Sequence, residues 1–295
     1  MKKQLLKIVP SIILLTLFLS SCVSLKYVND FSVSSLKSVK IFEHINYGFN
    51  QNCLDNCQYK KIIALDLNEN NCDCAPNEKA DSVTLLIYTT VRGYFDGLSS
   101  LSKNDLTSYK MDALTKALKE GNFGNVKIEK EQGEAYNKIF KILLKAFTEG
   151  YRKSKVETYV KEANEPIKIL LAYLNFNLSE NLSGKLNVQK QRIKSYYFDI
   201  TKDSNLSTYE KTKAAEEYYN KISQIETKQK KLLLYSKLLT KIKNGHQKLF
   251  ENIVTSNKIE GGKVLIQYAS DLQDIISAFN KLKYNHGEIN SKTSE

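Results

Sequence analysis

Four cysteines between positions 53 and 74 have a spacing that suits disulfide chemistry. Cys53 and Cys57 lie about one helical turn apart, which separates them by about 6 Å along a helix axis. Cys72 and Cys74 lie about 6.6 Å apart on one face of an extended segment. Because these separations match, the spacing predicts nested bridges, Cys53–Cys74 and Cys57–Cys72. A four-cysteine zinc site and free thiols are the alternatives.

Other residue types that carry chemistry are sparse. The three histidines, His44, His246 and His286, include no pair with metal-ligand spacing such as HExxH. The sequence contains no GxSxG motif, P-loop or GxGxxG motif. A glycosidase pair of carboxylates needs proximity in space rather than in sequence and stays open. The residues therefore indicate no catalytic group, no metal site and no cofactor.

The N-terminal residues have the pattern of an export signal. A basic start, residues 1–3, precedes an apolar stretch, residues 8–19, that is shorter than the roughly 20 residues needed to span a bilayer. The stretch ends in Leu19-Ser20-Ser21-Cys22, which resembles the lipobox of bacterial lipoproteins. In that class the cysteine is lipidated and becomes the first residue of the mature protein. An ordinary cleaved signal peptide and an uncleaved anchor are the alternatives.

The resemblance, which covers residues 1–22, implies a location and an attachment. Lipid chains on Cys22 would anchor the protein to a membrane that it does not span. Val23 differs from the aspartate that retains many lipoproteins at the inner membrane, and no acidic cluster of the surface-sorting kind follows. The resemblance therefore implies an outer-membrane location facing the periplasm. Disulfides persist in that compartment, which favours bridges over zinc.

The composition is strongly basic. The formal charge of +12 becomes +9 (12 − 3) once Lys2, Lys3 and Lys7 leave with the signal peptide. A basic surface favours anionic partners such as anionic lipid or an envelope polymer, although lysine enrichment is also typical of AT-rich genomes. Arginine occurs only at positions 92, 152 and 192, and an exported lipoprotein rarely meets nucleic acid. We therefore expect no nucleic-acid partner.

Helical periodicity dominates the mature chain, which has few helix breakers. We predict an all-α fold, a multi-helix bundle with long antiparallel helices and a disulfide-stapled N-terminal subdomain. Helices are expected from Ser34 or Ser35 to about residue 60, and over 77–102 (with a strand as the alternative) and 107–120. The predicted organisation is a signal peptide (1–21), a lipidated tether (22–33), the stapled helical subdomain (34–125), a long-helix bundle (126–284) and a polar flexible tail (285–295).

The C-terminal half has the clearest periodicity. Apolar residues stay in phase across Pro166, which predicts a kinked or restarted helix rather than its end. Breaks are expected at Gly184, at residues 203–205, and at Gly261-Gly262 before a last helix. A heptad seam is predicted over three heptads. Its members are Leu232, Tyr235, Leu239, Ile242, His246, Leu249 and Ile253.

His246, in the seam, is interpreted as a side chain at the edge of the core with one hydrogen-bond partner.

Two surfaces are candidates for contacts with other molecules. Arg92, Tyr94 and Asp96 combine a rare arginine, a carboxylate at i+4 and an aromatic ring, which suits either a ligand or partner contact or close helix packing, and packing is the favoured of these two alternatives. A lysine-rich helical face suits either contact with an anionic surface or exposure to solvent, and the solvated face is the favoured of these two interpretations. Its residues are Lys228, Lys230, Lys231, Lys237 and Lys241.

The leading hypothesis for function is a membrane-anchored, non-enzymatic lipoprotein of the bacterial envelope that binds or scaffolds a protein partner. The membrane, through Cys22, and an anionic lipid or polymer are its further expected partners. The alternatives are an enzyme that modifies an envelope polymer and a membrane-active helical protein. The lack of a catalytic motif argues against the enzyme. No mature segment has the uninterrupted apolar length of a membrane span.

Overall fold

The computed structural model describes residues 25–67, 72–103, 130–148, 156–255 and 258–291. Within these residues every regular element is helical, which confirms the all-α prediction. The helices are α1 (25–40), α2 (Phe49–Ile63), α3 (Ala75–Lys103), α4 (Lys130–Thr148), α5 (Val156–Phe176), α6 (Ser183–Lys202), α7 (Thr208–Thr255) and α8 (Lys258–Ser291). A 3-10 helix (Ile41–His44) follows α1, and a π-helical turn (Asn177–Leu182) joins α5 to α6.

The prediction that residues 22–33 form a tether is wrong from residue 25 onward, where α1 begins. Val28 and Phe31 of α1 are buried, and the Phe31 ring meets the Phe95 ring edge-on at 6.3 Å. A tether would leave its polar side chains in solvent. Instead, Ser32 is buried and its hydroxyl donates to the Val28 carbonyl at 2.6 Å. A serine whose hydroxyl is hydrogen-bonded to a carbonyl of its own helix can be buried as a small core residue.

The first predicted helix, from Ser34 or Ser35 to about residue 60, is divided in two. Residues 45–48 separate α1 and the 3-10 helix from α2, and Asn46 has a φ of 49°. The side chain that caps α2 comes from α3, since Asp81 accepts hydrogen bonds from the amides of Phe49 (2.7 Å) and Asn50 (2.9 Å). A carboxylate at a helix N-terminus satisfies free N–H groups and the helix dipole.

Both predicted disulfides are present. Cys53 is bonded to Cys74, with Cα atoms 5.8 Å apart, and Cys57 is bonded to Cys72, with Cα atoms 6.1 Å apart. The bridges join α2 to the segment that enters α3. Oxidation of all four thiols excludes the zinc alternative. We call the Cys57–Cys72 bond the inner disulfide, since it closes the shorter loop.

The long C-terminal helices agree with the sequence prediction except at three glycines and at the end of α8, which continues through Ser291 into the predicted flexible tail (285–295). Helix α5 continues through Pro166, and the seam residues of α7 from Leu232 to Leu249 are buried. Gly184 lies inside α6 rather than at a break. Gly261 and Gly262 lie inside α8, where added Cβ atoms would fall 2.1 Å from the Asn252 side chain and 2.2 Å from the Tyr27 ring. The glycine pair therefore permits close helix packing instead of forming a turn.

The disulfide-stapled N-terminal helices and the long C-terminal helices share one hydrophobic core. Helix α7 packs against α5, α6 and α8, and α5 also contacts α3 and α4. The core combines side chains of α1 and α3 with those of α4 to α8. The turn over 203–207 makes α6 and α7 antiparallel, as expected. The lipidation residue Cys22, the predicted helix 107–120 and the last tail residues, 292–295, lie outside the described residues.

Candidate functional site

The cluster predicted for ligand contact does not form one surface. Tyr94 is only 2% exposed and faces the core, so it is not part of an exposed contact surface. Arg92 donates to Glu43 at 3.0 Å, across the interface with the 3-10 helix. Asp96 is half-buried, and burial raises the pKa of its carboxyl while Lys40 and Arg92 oppose that shift. These contacts favour the alternative of helix packing.

Tyr94 instead belongs to a buried polar network centred on His246 of α7. The Tyr94 hydroxyl lies 2.7 Å from His246 Nε2, and His246 Nδ1 lies 3.1 Å from Asn164 Oδ1 on α5. Since Asn164 Oδ1 accepts, Nδ1 carries the proton and Nε2 accepts from Tyr94. Both ring nitrogens are therefore satisfied, one more than the sequence interpretation expected. Burial first, and the charge of Lys168 second, lower the pKa of His246 from 6.5 to about 3.

The network continues from His246 to the surface through side chains of α5 and α7. The Asn164 amide donates to Gln247 Oε1 at 3.1 Å, and Lys168 donates to the same oxygen at 3.0 Å. Lys168 also donates to Glu165 at 2.8 Å. These bonds fix the relative positions of α3, α5 and α7. A neutral histidine with both nitrogens engaged has no free site for a ligand or a metal.

The lysines of α7 do not form a continuous free basic face. Lys228 donates to Asp55 at 3.2 Å and lies 3.9 Å from the centroid of the Tyr47 ring. Lys241 donates to Asp271 of α8 at 2.5 Å. Both therefore bind neighbouring helices. Lys230 and Lys237 are exposed, and Lys231 is half-buried.

A cationic groove, missed from the sequence, lies between α2 and α6. We call it the stapled groove; its volume is about 730 Å³, within the usual range for ligand sites. Both disulfides border it. The charged and amide side chains that line it are Asn52, Asn56, Lys60, Lys61, Asp73, Asn77, Lys185 and Arg192.

Amide side chains position Arg192 in the middle of the stapled groove. Asn52 donates to Gln189 Oε1 at 3.3 Å, and Asn56 donates to the Asn52 side-chain oxygen at 3.1 Å. Arg192 Nη1 lies 3.5 Å from Asn56 Oδ1. Since residues 52 and 56 meet residues 189 and 192 in the same order, α2 and α6 run parallel here. The one sequence signal for this site was an arginine in a chain that otherwise uses lysine.

An exposed apolar segment lies where α2 ends, next to the stapled groove. We call it the apolar end; it consists of Ile62, Ile63, Leu65 and Leu67, which are 47%, 36%, 84% and 94% exposed. Asp66 N–H donates to the Lys61 carbonyl at 2.9 Å and Leu65 N–H to the Ile62 carbonyl at 3.2 Å, which is the Schellman pattern. Glycine usually occupies the position of Leu65, whose φ is 52°.

Comparison with known protein families, curated proteins and solved structures finds no match to this chain. Among the described helices, none has the length and apolar character required to cross a membrane. The described residues also contain no group of three or more histidine, cysteine and carboxylate side chains arranged to hold a metal ion.

Proposed function

We propose that this chain is a membrane-anchored bacterial envelope lipoprotein that binds a protein partner through the apolar end of α2. The lipobox resemblance at Leu19-Ser20-Ser21-Cys22 supports the anchor and the envelope location. The backbone and exposure of Leu65 support the binding role.

The backbone of Leu65 is the observation that carries the binding role. A left-handed conformation costs a residue with a Cβ about 1–2 kcal/mol, which glycine avoids. The Leu65 side chain is 84% exposed, so burial in this chain's core does not offset that cost. Unfavourable backbone conformations that persist in a fold often mark functional segments. An exposed leucine held in this conformation is suited to contact a second molecule.

The disulfides attach α2, which carries the apolar end, to the segment that enters α3. Among the described side chains of α2, the buried ones are Phe49, Asn52 and Tyr59, so the bridges supplement a small contact with the core. A surface that is ordered before binding loses less conformational entropy in the complex. Burying Leu65 and Leu67 against a partner would contribute about 1.5–3 kcal/mol each. Exposed apolar clusters of this kind are typical of protein interaction sites.

The anchor is tested by labelling cells with an alkyne fatty acid. The wild-type chain should incorporate the label and sediment with membranes, whereas Cys22→Ser should do neither. Label on the Cys22→Ser chain, or membrane attachment without label in the wild type, would overturn the lipoprotein assignment.

The partner site is tested by a photo-crosslinking amino acid placed at residue 67 in the anchored protein in cells. We expect one adduct of defined mass from residue 67 and none from residue 233, where Leu233 of α7 is another exposed leucine (53%). A second variant carries the crosslinking amino acid at residue 67 together with Leu65→Gly. Its adduct should be weaker, whereas its free energy of unfolding should not be lower, because glycine suits a positive φ. Equal adducts from both positions, lipid adducts alone, or an adduct unaffected by Leu65→Gly would refute the proposed interface.

A further inference from the structure

We propose that the stapled groove binds an extended acidic segment of the partner protein, with Arg192 as the principal anchor. This inference rests on the proposed function, because it assigns a chemistry to the same partner. It concerns a separate surface, since the lining of the groove and the apolar end have no residue in common.

Part of the positive charge of the groove is not neutralised by ion pairs among the described residues. Within the described residues, Lys60, Lys185 and Arg192 have no carboxylate at ion-pair distance. The single acidic side chain in the lining, Asp73, accepts a hydrogen bond from the Ala75 amide at 3.3 Å. Cations placed around a concave surface attract an anionic ligand more strongly than cations on a convex one.

Other cavities in the described structure differ in this respect. A 410 Å³ cavity beside the 3-10 helix contains Glu43, which pairs with Arg92, and Asp81, which caps α2. A 280 Å³ cavity between α2 and α7 contains Asp55, which pairs with Lys228. The charged groups named here already stabilise the fold. The stapled groove is therefore the better candidate for an external anion.

The choice of arginine indicates a specific geometry of binding. A guanidinium presents two parallel N–H donors that match the two oxygens of a carboxylate, whereas lysine acts as a point charge. The hydrogen-bonded series from buried Gln189 through Asn52 and Asn56 limits the positions that Arg192 can adopt. Such preorganisation lowers the entropy that is lost when the ligand binds.

The dimensions of the stapled groove fit a short extended peptide. Asn52 and Lys61 mark its ends on α2, and a rise of nine residues along a helix is about 13.5 Å. An extended chain advances about 3.3 Å per residue, so about four residues fit along the groove. Lys185 and Lys60 would lie toward opposite ends of that segment, with Arg192 between them. Val188, which is 56% exposed, adds an apolar contact.

The test measures binding of a fluorescent tetraglutamate peptide to the full-length protein in detergent, by fluorescence polarisation at low salt. We expect Arg192→Gln to weaken binding tenfold or more, since it removes charge-assisted hydrogen bonds. Arg192→Lys should recover only part of that loss. Lys237→Gln is the matched control: it removes the same charge from an exposed site on α7 and should change binding by less than twofold. Circular dichroism establishes that each variant is folded.

Three results would overturn the inference. Equal weakening by Arg192→Gln and Lys237→Gln would mean that the peptide responds only to net charge. Tighter, Arg192-dependent binding of tetraphosphate would assign the groove to a phosphate ligand instead of an acidic protein segment. No effect of Arg192→Gln, with the residue-67 adduct retained in cells, would refute the groove while leaving the proposed function intact.

Discussion

Replacing His246 by glutamine should remove a specific part of the acid sensitivity of this protein. In the folded chain the imidazole is fully buried, donates to Asn164 and accepts from Tyr94. Burial lowers its pKa to about 3 from an ordinary 6.5. Between these two pH values the unfolded chain binds a proton on His246 that the folded chain does not. The contribution of the neutral imidazole to the free energy of unfolding is therefore fully present above pH 6.5 and decreases as the pH is lowered from 6.5 toward 3.

The magnitude follows from proton linkage. A group with an unfolded pKa of 6.5 that stays neutral in the folded state lowers the free energy of unfolding by RT ln(1 + 10^(6.5−pH)), which is about 2 kcal/mol at pH 5. The loss approaches about 5 kcal/mol near pH 3, where the folded imidazole begins to titrate. At pH 5 the result depends little on the exact folded pKa, provided that it lies well below 5.

The assay is urea unfolding of wild type and His246→Gln at pH 7.5 and pH 5.0, with the disulfides intact. His246→Gln should be less stable at pH 7.5, since Tyr94 and Asn164 lose their partner. Between the two pH values, however, wild type should lose about 2 kcal/mol more than the variant does. Titration of carboxylates affects both proteins and cancels in this comparison.

Equal losses of stability in the two proteins would refute the assignment of a neutral, buried imidazole. So would a ¹⁵N NMR spectrum in which the folded His246 ring becomes protonated between pH 7.5 and 5.0. A spectrum with the proton on Nε2 rather than Nδ1 would contradict the hydrogen-bond directions.

Three further predictions concern stability and are measured by urea unfolding at pH 7.5. Asp81→Ala should lower the free energy of unfolding by about 1–2 kcal/mol, because the first two amides of α2 lose their acceptor; no change would mean that solvent serves equally well. Gly262→Ala should lower it by about 1–3 kcal/mol, since the new Cβ would lie 2.2 Å from the Tyr27 ring, whereas Gly184→Ala, with nothing within 4 Å, should raise it by up to about 1 kcal/mol. The reverse order would contradict the helix packing described for α8. Replacing both cysteines of the inner disulfide by serine should cost about 3 kcal/mol from loop entropy, and an unchanged stability would mean that α2 is held by its other contacts.

Features set by local spacing were predictable from the sequence. The disulfide pairing depended on matching the rise of a helix to that of an extended segment, which is the same in any protein. The buried seam of α7 from Leu232 to Leu249 followed from its heptad steps. Each prediction used only the spacing of residues within single segments, two segments for the disulfides and one helix for the seam, and needed no knowledge of the tertiary fold.

Features that depend on contacts between distant segments were not predictable. Ser32 lies in the segment predicted as a tether, and its burial depends on contacts with other helices. Two adjacent glycines suggested a turn. Their role in α8 depends on the side chains packed against them, Asn252 and Tyr27, which are not adjacent to them in the sequence. The stapled groove joins α2 to α6, and the sequence contains no signal for which face of each helix meets the other.

The early start of α1 limits how far the protein can reach from a membrane. If Cys22 carries the lipid, at most about 11 Å of chain separates it from residue 25, the first described residue of α1. The bundle would then lie close to the bilayer instead of being separated from it by a long flexible linker. A partner would have to come to the membrane surface, or carry its own long tether, to be captured. Lengthening this connection with a flexible insert would extend the capture radius without altering the binding surfaces.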